Sequence, residues 1–250
     1  MPFADNDGIR IHYQVEGEGP PLLLYHGAAG SLDDWRHDGY VEELNRDYQL
    51  ILMDGRGHGA SDKPHDPEAY YMEHLVGDVV AVLDDLGIGS AHYFGFSRGG
   101  YVGFNIAKLA AERVRSLIIG GANPKWKPPA PNVKSADAGP EALVAVIERS
   151  RPVSPAWKDQ LMANDFEALS AASKGSSMRP DLEDDLPSMT MPFLVYGGEF
   201  DGNVEDMEYA DRLPNATFVS LPGLDHLQSF SRSDLVLPHV KKFLARVSQA

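Results

Sequence analysis

The chain contains no cysteine. That absence excludes a disulfide framework, a thiolate metal site and a thiol nucleophile, and it fits a reducing compartment. Basic residues are scarce: 22 Lys plus Arg stand against 37 Asp plus Glu, a formal net charge of -15. Such a surface repels phosphate backbones and anionic bilayers, so neither a nucleic-acid partner nor a membrane partner is expected. No stretch approaches the ~18 consecutive apolar residues that a spanning helix requires. The start, Met1-Pro2-Phe3-Ala4-Asp5, lacks the basic and apolar regions of an export signal. These absences predict a cytoplasmic protein with a neutral or hydrophobic small-molecule ligand. Paired-histidine zinc motifs, a Walker pattern and GxGxxG spacing are also missing, so no metal and no cofactor are expected.

What is present is an alternation. Residues Ile9, Ile11, Tyr13 and Val15 alternate with polar ones, which suits a half-buried antiparallel strand; Gly17 to Pro21 then turns the chain, and a short N-terminal hairpin is expected. Leu22 to Tyr25, Gln49 to Met53, His92 to Phe96, Ser116 to Ile119, Phe193 to Tyr196 and Thr217 to Leu221 are short apolar runs of the kind buried on both faces of a parallel sheet. Between them, Met72, Leu75, Val76, Val79, Val80, Leu83 and Leu86 recur at helical spacing and stop at Gly87. Strands alternating with helices predict an α/β fold with a mostly parallel, doubly wound sheet. At 250 residues, one domain with an insertion is expected. The alternation breaks after Gly121, where Pro124, Pro128, Pro129 and Pro131 lead into two or three short amphipathic segments. One carries Leu143, Val146 and Ile147; the next has Ser154 as N-cap and Pro155 at the first helical position, then Trp157, Leu161 and Phe166. We divide the chain into a core of residues 1–120 and 190–250 and a helical cap of residues 121–189.

Chemistry concentrates at Gly95-Phe96-Ser97-Arg98-Gly99. A serine hydroxyl attacks only when a base removes its proton and a tight turn exposes it. Glycines two residues either side let a strand bend sharply into a helix at Ser97. The base must come from nine histidines. His226, in the polar turn Pro222-Gly223-Leu224-Asp225-His226 after the last strand, can swing over the carboxyl edge of the sheet; His12, His37, His58, His65, His74 and His239 read as structural or solvated. Asp201 follows a buried strand at the sheet edge where ligands bind in such folds, and is the candidate acid. Glu199, Asp206 and Asp225 compete, with Glu199 read as a loop hydrogen-bonder; Asn123, after the preceding strand, cannot carry the charge. The order Ser97, Asp201, His226 is the order of the hydrolase triad. Backbone N–H groups of Ala28, in the loop Tyr25-His26-Gly27-Ala28-Ala29-Gly30, and of Arg98 are the candidate oxyanion donors. His26 reads as a loop-shaping residue.

Taken together, His26-Gly27, the turn Asp54-Gly55-Arg56-Gly57-His58-Gly59-Ala60-Ser61, the elbow, Gly198-Glu199-Phe200-Asp201 and Gly223-Leu224-Asp225-His226 resemble the α/β-hydrolase superfamily. The resemblance covers the chain outside the cap, and Met53 through Gly100 is especially similar to 3-oxoadipate enol-lactonases and small bacterial carboxylesterases. It implies the α/β-hydrolase fold with an inserted cap. The Asp54 to Ser61 turn then reads as structural, with Arg56 tying neighbouring loops. Serine at the elbow argues against the haloalkane dehalogenases and epoxide hydrolases, which start from a carboxylate.

The resulting expectation is a cofactor-free serine esterase or lactonase acting on a small ester through an acyl-enzyme. Trp157 and Leu161 of the cap, and Leu227 beside the histidine, are the expected substrate-binding residues. Hydrolysis of a carbon–carbon bond in ring-cleavage products is a rival within enzymes, weakened because Leu227 stands where those enzymes commonly carry tryptophan. A small-molecule receptor on the same fold is the rival of another class. For a dicarboxylate lactone, Arg98, Lys125, Lys127, Arg149 and Arg151 are the available cations.

Overall fold

The computed structural model describes residues 1–125, 139–150, 152–202 and 207–248. Strands β1 (Phe3–Asn6), β2 (Ile9–Glu16), β3 (Pro21–Tyr25), β4 (Gln49–Met53), β5 (Ala91–Phe96), β6 (Val114–Gly120), β7 (Phe193–Gly198) and β8 (Ala216–Leu221) form one sheet in the order β1-β2-β4-β3-β5-β6-β7-β8. Only β1 and β2 run antiparallel to their neighbours; the pairs from β4 to β8 are parallel. Apolar side chains of β3 to β7 feed two clusters of buried residues. One gathers α3 (Met72–Asp85) and α4 (Arg98–Leu109); the other gathers α1 (Asp34–His37), α2 (Tyr40–Leu44), α8 (Gln228–Ser231) and α9 (Ser233–Val247). This is the doubly wound α/β-hydrolase architecture expected from the alternation.

Three local readings are corrected. The N-terminal hairpin turns at Asp7-Gly8, not at Gly17 to Pro21: φ is 54° at Asp7 and 83° at Gly8, and Asn6 pairs with Ile9. An Asp-Gly pair is the residue choice a two-residue turn with two positive φ angles demands. After Gly17 to Pro21 the chain does not return along β2; β4 lies between β2 and β3. The run at β8 is not buried on both faces: it is the edge strand, pairs only with β7, and buries fully only Leu221. Third, α5 (Pro140–Ser150) buries Val144 and Ile147, while Val146 is 44% exposed.

Between β6 and β7 lie α5, α6 (Pro155–Met162) and α7 (Phe166–Ser177). The Ser154 hydroxyl caps α6 by accepting the Trp157 N–H at 3.2 Å, as its sequence implied. Phe166 does not continue that helix. Asp165 accepts the N–H groups of Glu167 and Ala168 and starts α7. Pro128, Pro129, Pro131, Lys127, Arg151 and Asp206 lie outside the described residues.

The core contains buried histidines. Burial pushes His92 down from 6.5 to about 4, and its Nδ1 lies 2.8 Å from the Ser116 hydroxyl. Below pH 6.5 the unfolded chain protonates this ring while the folded chain resists until about pH 4, so stability should fall across that window. His26 and His58, also pushed down by burial, add to the same slope. Denaturant titrations at pH 7 and pH 4.5 check this, with the gap between them expected to narrow in His92→Gln; an unchanged gap counts against His92.

Candidate active site

The sheet order creates the site. The chain leaves β3 for β4 on one side and returns to β5 on the other, so the loops after β3 and β5 emerge side by side. Ligands of open α/β sheets bind in such a crevice. In register, Tyr25 at the end of β3 pairs with Gly95 of β5.

Ser97 joins β5 to α4 with φ 51° and ψ -108°, a conformation costly for a residue with a Cβ. Close backbone packing holds it. A Cβ on Gly95 would stand 2.3 Å from the Gly99 carbonyl oxygen, and one on Gly99 would stand 2.2 Å from the Tyr25 carbonyl oxygen. The Ser97 N–H donates to the Gly120 carbonyl at 2.7 Å, which ties the elbow to β6.

His226 Nε2 lies 2.9 Å from Ser97 Oγ, and His226 Nδ1 lies 2.7 Å from Asp201 Oδ2. One hydrogen-bonded chain therefore joins side chains from the ends of β5, β7 and β8. Asp201 is buried at 1% exposure, whereas the imidazole is 29% exposed. The acid is shielded and the base is open to a reactant. Phe96 packs at 5.0 Å between ring centroids from His226, and Gly121, with φ 60°, leaves the imidazole its space: a Cβ there would meet His226 Cε1 at 2.8 Å. Two of the rival acids, Glu199 and Asp225, are engaged elsewhere. Glu199 accepts the Gly223 N–H at 2.8 Å, as the loop reading expected, and Asp225 accepts the N–H of Gln228 at 2.8 Å.

The Ala28 and Arg98 N–H groups have no hydrogen-bond acceptor among the described residues. Gly27 brings their loop against the elbow, since a Cβ on it would stand 3.5 Å from Ser97 Cβ. His26 shapes this loop: its Nδ1–H donates to the Gly27 carbonyl at 2.6 Å and its Nε2 accepts the Gly55 N–H at 2.9 Å. Those partners assign a neutral ring, in keeping with burial, which pushes it down. A feature not visible in the sequence is the grip of α6 and the residues just after it on the segment from Ala29 to Asp34. Trp157 Nε1 donates to Asp34 at 3.2 Å, Gln160 to the Ser31 hydroxyl at 2.5 Å, and Asn164 to the Ala29 carbonyl at 3.1 Å. Ala29 itself sits at φ 60°, so the Asn164 bond helps hold a strained residue next to Ala28.

Trp157, Leu161 and Leu227 come together with Val144 and Ile147 in a small apolar cluster whose Leu227 adjoins His226 in sequence. Leu161 is 2% exposed and belongs to the interior of this cluster. A separate recess of about 330 Å³, lined by His12, Ser31, Asp54, Lys63, Gln160 and Asn164 among others, is not lined by Ser97, Asp201 or His226. The Asp54 to Ser61 turn ties loops as the motif implied. Asp54 accepts from the N–H groups of Leu32 and Ala60, and Arg56 reaches Asp78 at 2.6 Å and the Ala69 carbonyl at 2.9 Å.

The model of the α/β hydrolase fold family matches residues 20–166, and the chain belongs to that family. Its structure is similar to the enol-lactonase of Burkholderia xenovorans LB400, with a TM-score of 0.86 and 25% identity over 98% of this chain and 100% of that one. A non-heme haloperoxidase of Rhodococcus erythropolis is 28% identical over 98% of this chain and 99% of its own length. Mouse epoxide hydrolase 4 is 35% identical over 116 residues, which cover 46% of this chain and 32% of that protein. This chain thus spans about a third of that relative's length. Hydrolases thus recur among the proteins that this chain resembles. Among the described residues, no helix is long and apolar enough to cross a membrane.

Proposed function

We propose that the protein is a cofactor-free, cytoplasmic serine hydrolase of small carboxylic esters or lactones. The observation that carries this reading is the hydrogen-bonded chain Ser97–His226–Asp201 set on a strained elbow. His226 takes the Ser97 proton through Nε2 as Oγ attacks the carbonyl carbon, while buried Asp201 fixes the tautomer and stabilises the imidazolium. The Ala28 and Arg98 N–H groups receive the developing oxyanion. The imidazolium then gives its proton to the leaving alcohol, and a water activated by the same ring releases the acid. Residues 121–189 act as a cap that selects the acyl group.

A fluorophosphonate should label one peptide, that containing Ser97, and an ester and lactone panel should be turned over with Ser97→Ala as blank. Labelling elsewhere, or full turnover by Ser97→Ala, would remove this reading; labelling without turnover would favour a receptor. Substrate choice follows from the apolar cluster. Leu161→Ala should shift the kcat/KM ratio of short to long acyl esters by roughly 10-fold to 200-fold, the range of small changes in hydrophobic contact. An unchanged profile with a lower melting temperature would make Leu161 packing alone.

A further inference from the structure

We propose that Asn164 is a positioning residue of the active site: a side chain from the segment after α6 that sets the direction of the Ala28 N–H by holding the turn from Gly27 to Gly30. This rests on the serine-hydrolase reading, in which Ala28 and Arg98 supply the oxyanion donors. The two donors are built differently. The Arg98 N–H belongs to the elbow, which packs on the end of β3 and is tied to β6. The Ala28 N–H lies on a loop, and a loop must be held from outside.

Its direction follows from its neighbours. The Gly27–Ala28 peptide is trans, so the Ala28 N–H points away from the Gly27 carbonyl. That carbonyl accepts the His26 Nδ1–H at 2.6 Å and the Gly30 N–H at 3.3 Å, which closes a four-residue turn with Ala28 and Ala29 at its centre. Ala29 takes φ 60°, and a positive φ at the third turn position ordinarily calls for glycine. Left to itself, an alanine there relaxes toward negative φ and swings the adjoining peptides with it. The turn needs a restraint on Ala29.

Asn164 supplies it. Its Nδ2 donates to the Ala29 carbonyl at 3.1 Å, across 135 positions of sequence, and to the Leu161 carbonyl in the last turn of α6 at 3.1 Å. Both amide hydrogens are thus used, and the second bond fixes the rotamer that makes the first. The next residue, Asp165, starts α7 by accepting the N–H groups of Glu167 and Ala168. Asn164 therefore reaches the loop from a point held by two helices. The Ala29 carbonyl has no other hydrogen-bond donor among the described residues, and Ala29 is buried, so losing Asn164 leaves that carbonyl unpaired.

In Asn164→Ala, kcat on p-nitrophenyl butyrate should fall about 10-fold to 100-fold with KM changed less than about 3-fold, the split expected when a contact is lost only in the transition state. Asn164→Asp keeps the shape but cannot donate, and should lose as much. Adding Ala29→Gly to Asn164→Ala should recover most of the loss, because glycine holds a positive φ without help. A role in packing alone would lower the melting temperature of Asn164→Ala and would not respond to Ala29→Gly. Parental kcat in both Asn164 variants, a loss confined to KM, or no recovery with Ala29→Gly would each overturn the positioning role. Fluorophosphonate labelling separates the two failures. A parent labelled at Ser97 and active, whose Asn164 variants keep parental kcat, loses the positioning role alone; a parent neither labelled nor active loses the hydrolase reading, and the positioning role with it.

Discussion

Asp201→Asn should fold like the parent and hydrolyse esters about 1,000-fold to 10,000-fold more slowly. The side chain is 1% exposed and sits 2.7 Å from His226 Nδ1, so the isosteric amide keeps the packing. What changes is the proton. An amide N–H turned toward Nδ1 holds the imidazole in the tautomer that carries its hydrogen on Nε2, facing Ser97 Oγ, where it can no longer accept the serine proton. Ser97→Ala and His226→Ala should each cost as much, and combinations should cost little more, because the three act as a unit. Glu199→Gln is the matched control: its carboxylate holds the Gly223 N–H, and its loss should change turnover only modestly. Near-parental rates in Asp201→Asn with a collapse in Glu199→Gln would move the acid to Glu199.

The second large effect is on stability. Asp78→Asn should lower the unfolding free energy by about 3 to 5 kcal/mol, because it strands Arg56 as a buried, uncompensated charge. Asp78 and Arg56 are 0% and 4% exposed at their side chains, and Asn6 donates to the same carboxylate at 2.8 Å. Burial pushes the Asp78 carboxyl up while Arg56 pulls it down, as expected of a carboxylate that depends on its partner. For a chain of 250 residues the loss corresponds to a fall in melting temperature of roughly 6 to 20 °C. The double variant Arg56→Met/Asp78→Leu should lose less than Asp78→Asn, since it removes both charges. Thermal unfolding of the three proteins decides, and a double variant as unstable as the single one would show that the pair matters for shape rather than charge.

Much of the fold was readable because its signals are local. The runs at Leu22 to Tyr25 and Phe193 to Tyr196 are apolar on every residue, which only a strand covered on both faces requires, and both are buried strands. The repeat from Met72 ends at Leu86-Gly87, and Gly87 takes φ 67° as a helix-ending residue must. The turn at Asp7-Gly8 was equally local, and a reading of Asp-Gly as a two-residue hairpin would have found it. The edge position of β8 was a different matter. Thr217 to Leu221 carries Phe218, Val219 and Leu221 like a buried strand, and only the sheet order leaves one side of it open.

The candidate site divides in the same way. Ser97 was legible from glycine spacing, and Asp201 and His226 from their places just beyond strand ends. By contrast, Trp157, Gln160 and Asn164 reach a loop 123 to 135 positions earlier in the chain. Nothing at α6 announces that grip, since tryptophan and glutamine on an amphipathic helix, and an asparagine just after it, read as ordinary surface and seam. Arg98 is the sharpest case. In sequence it is a charged residue opening a helix, by default solvated; in the fold it is buried, with its guanidinium beside the rings of Tyr25 and Tyr70.

What the sequence alone determined is the stereochemistry of each segment: which residues must be strands, where the backbone must turn through positive φ, and which serine stands on an elbow. Those outcomes depend on steric and solvation effects among residues a few positions apart. Only the tertiary structure brought His226 within hydrogen-bond reach of Ser97, and Asp201 within reach of His226. Those pairings join residues 25 and 129 positions apart, and they follow from the order in which strands lie in the sheet, a property of the whole chain's packing.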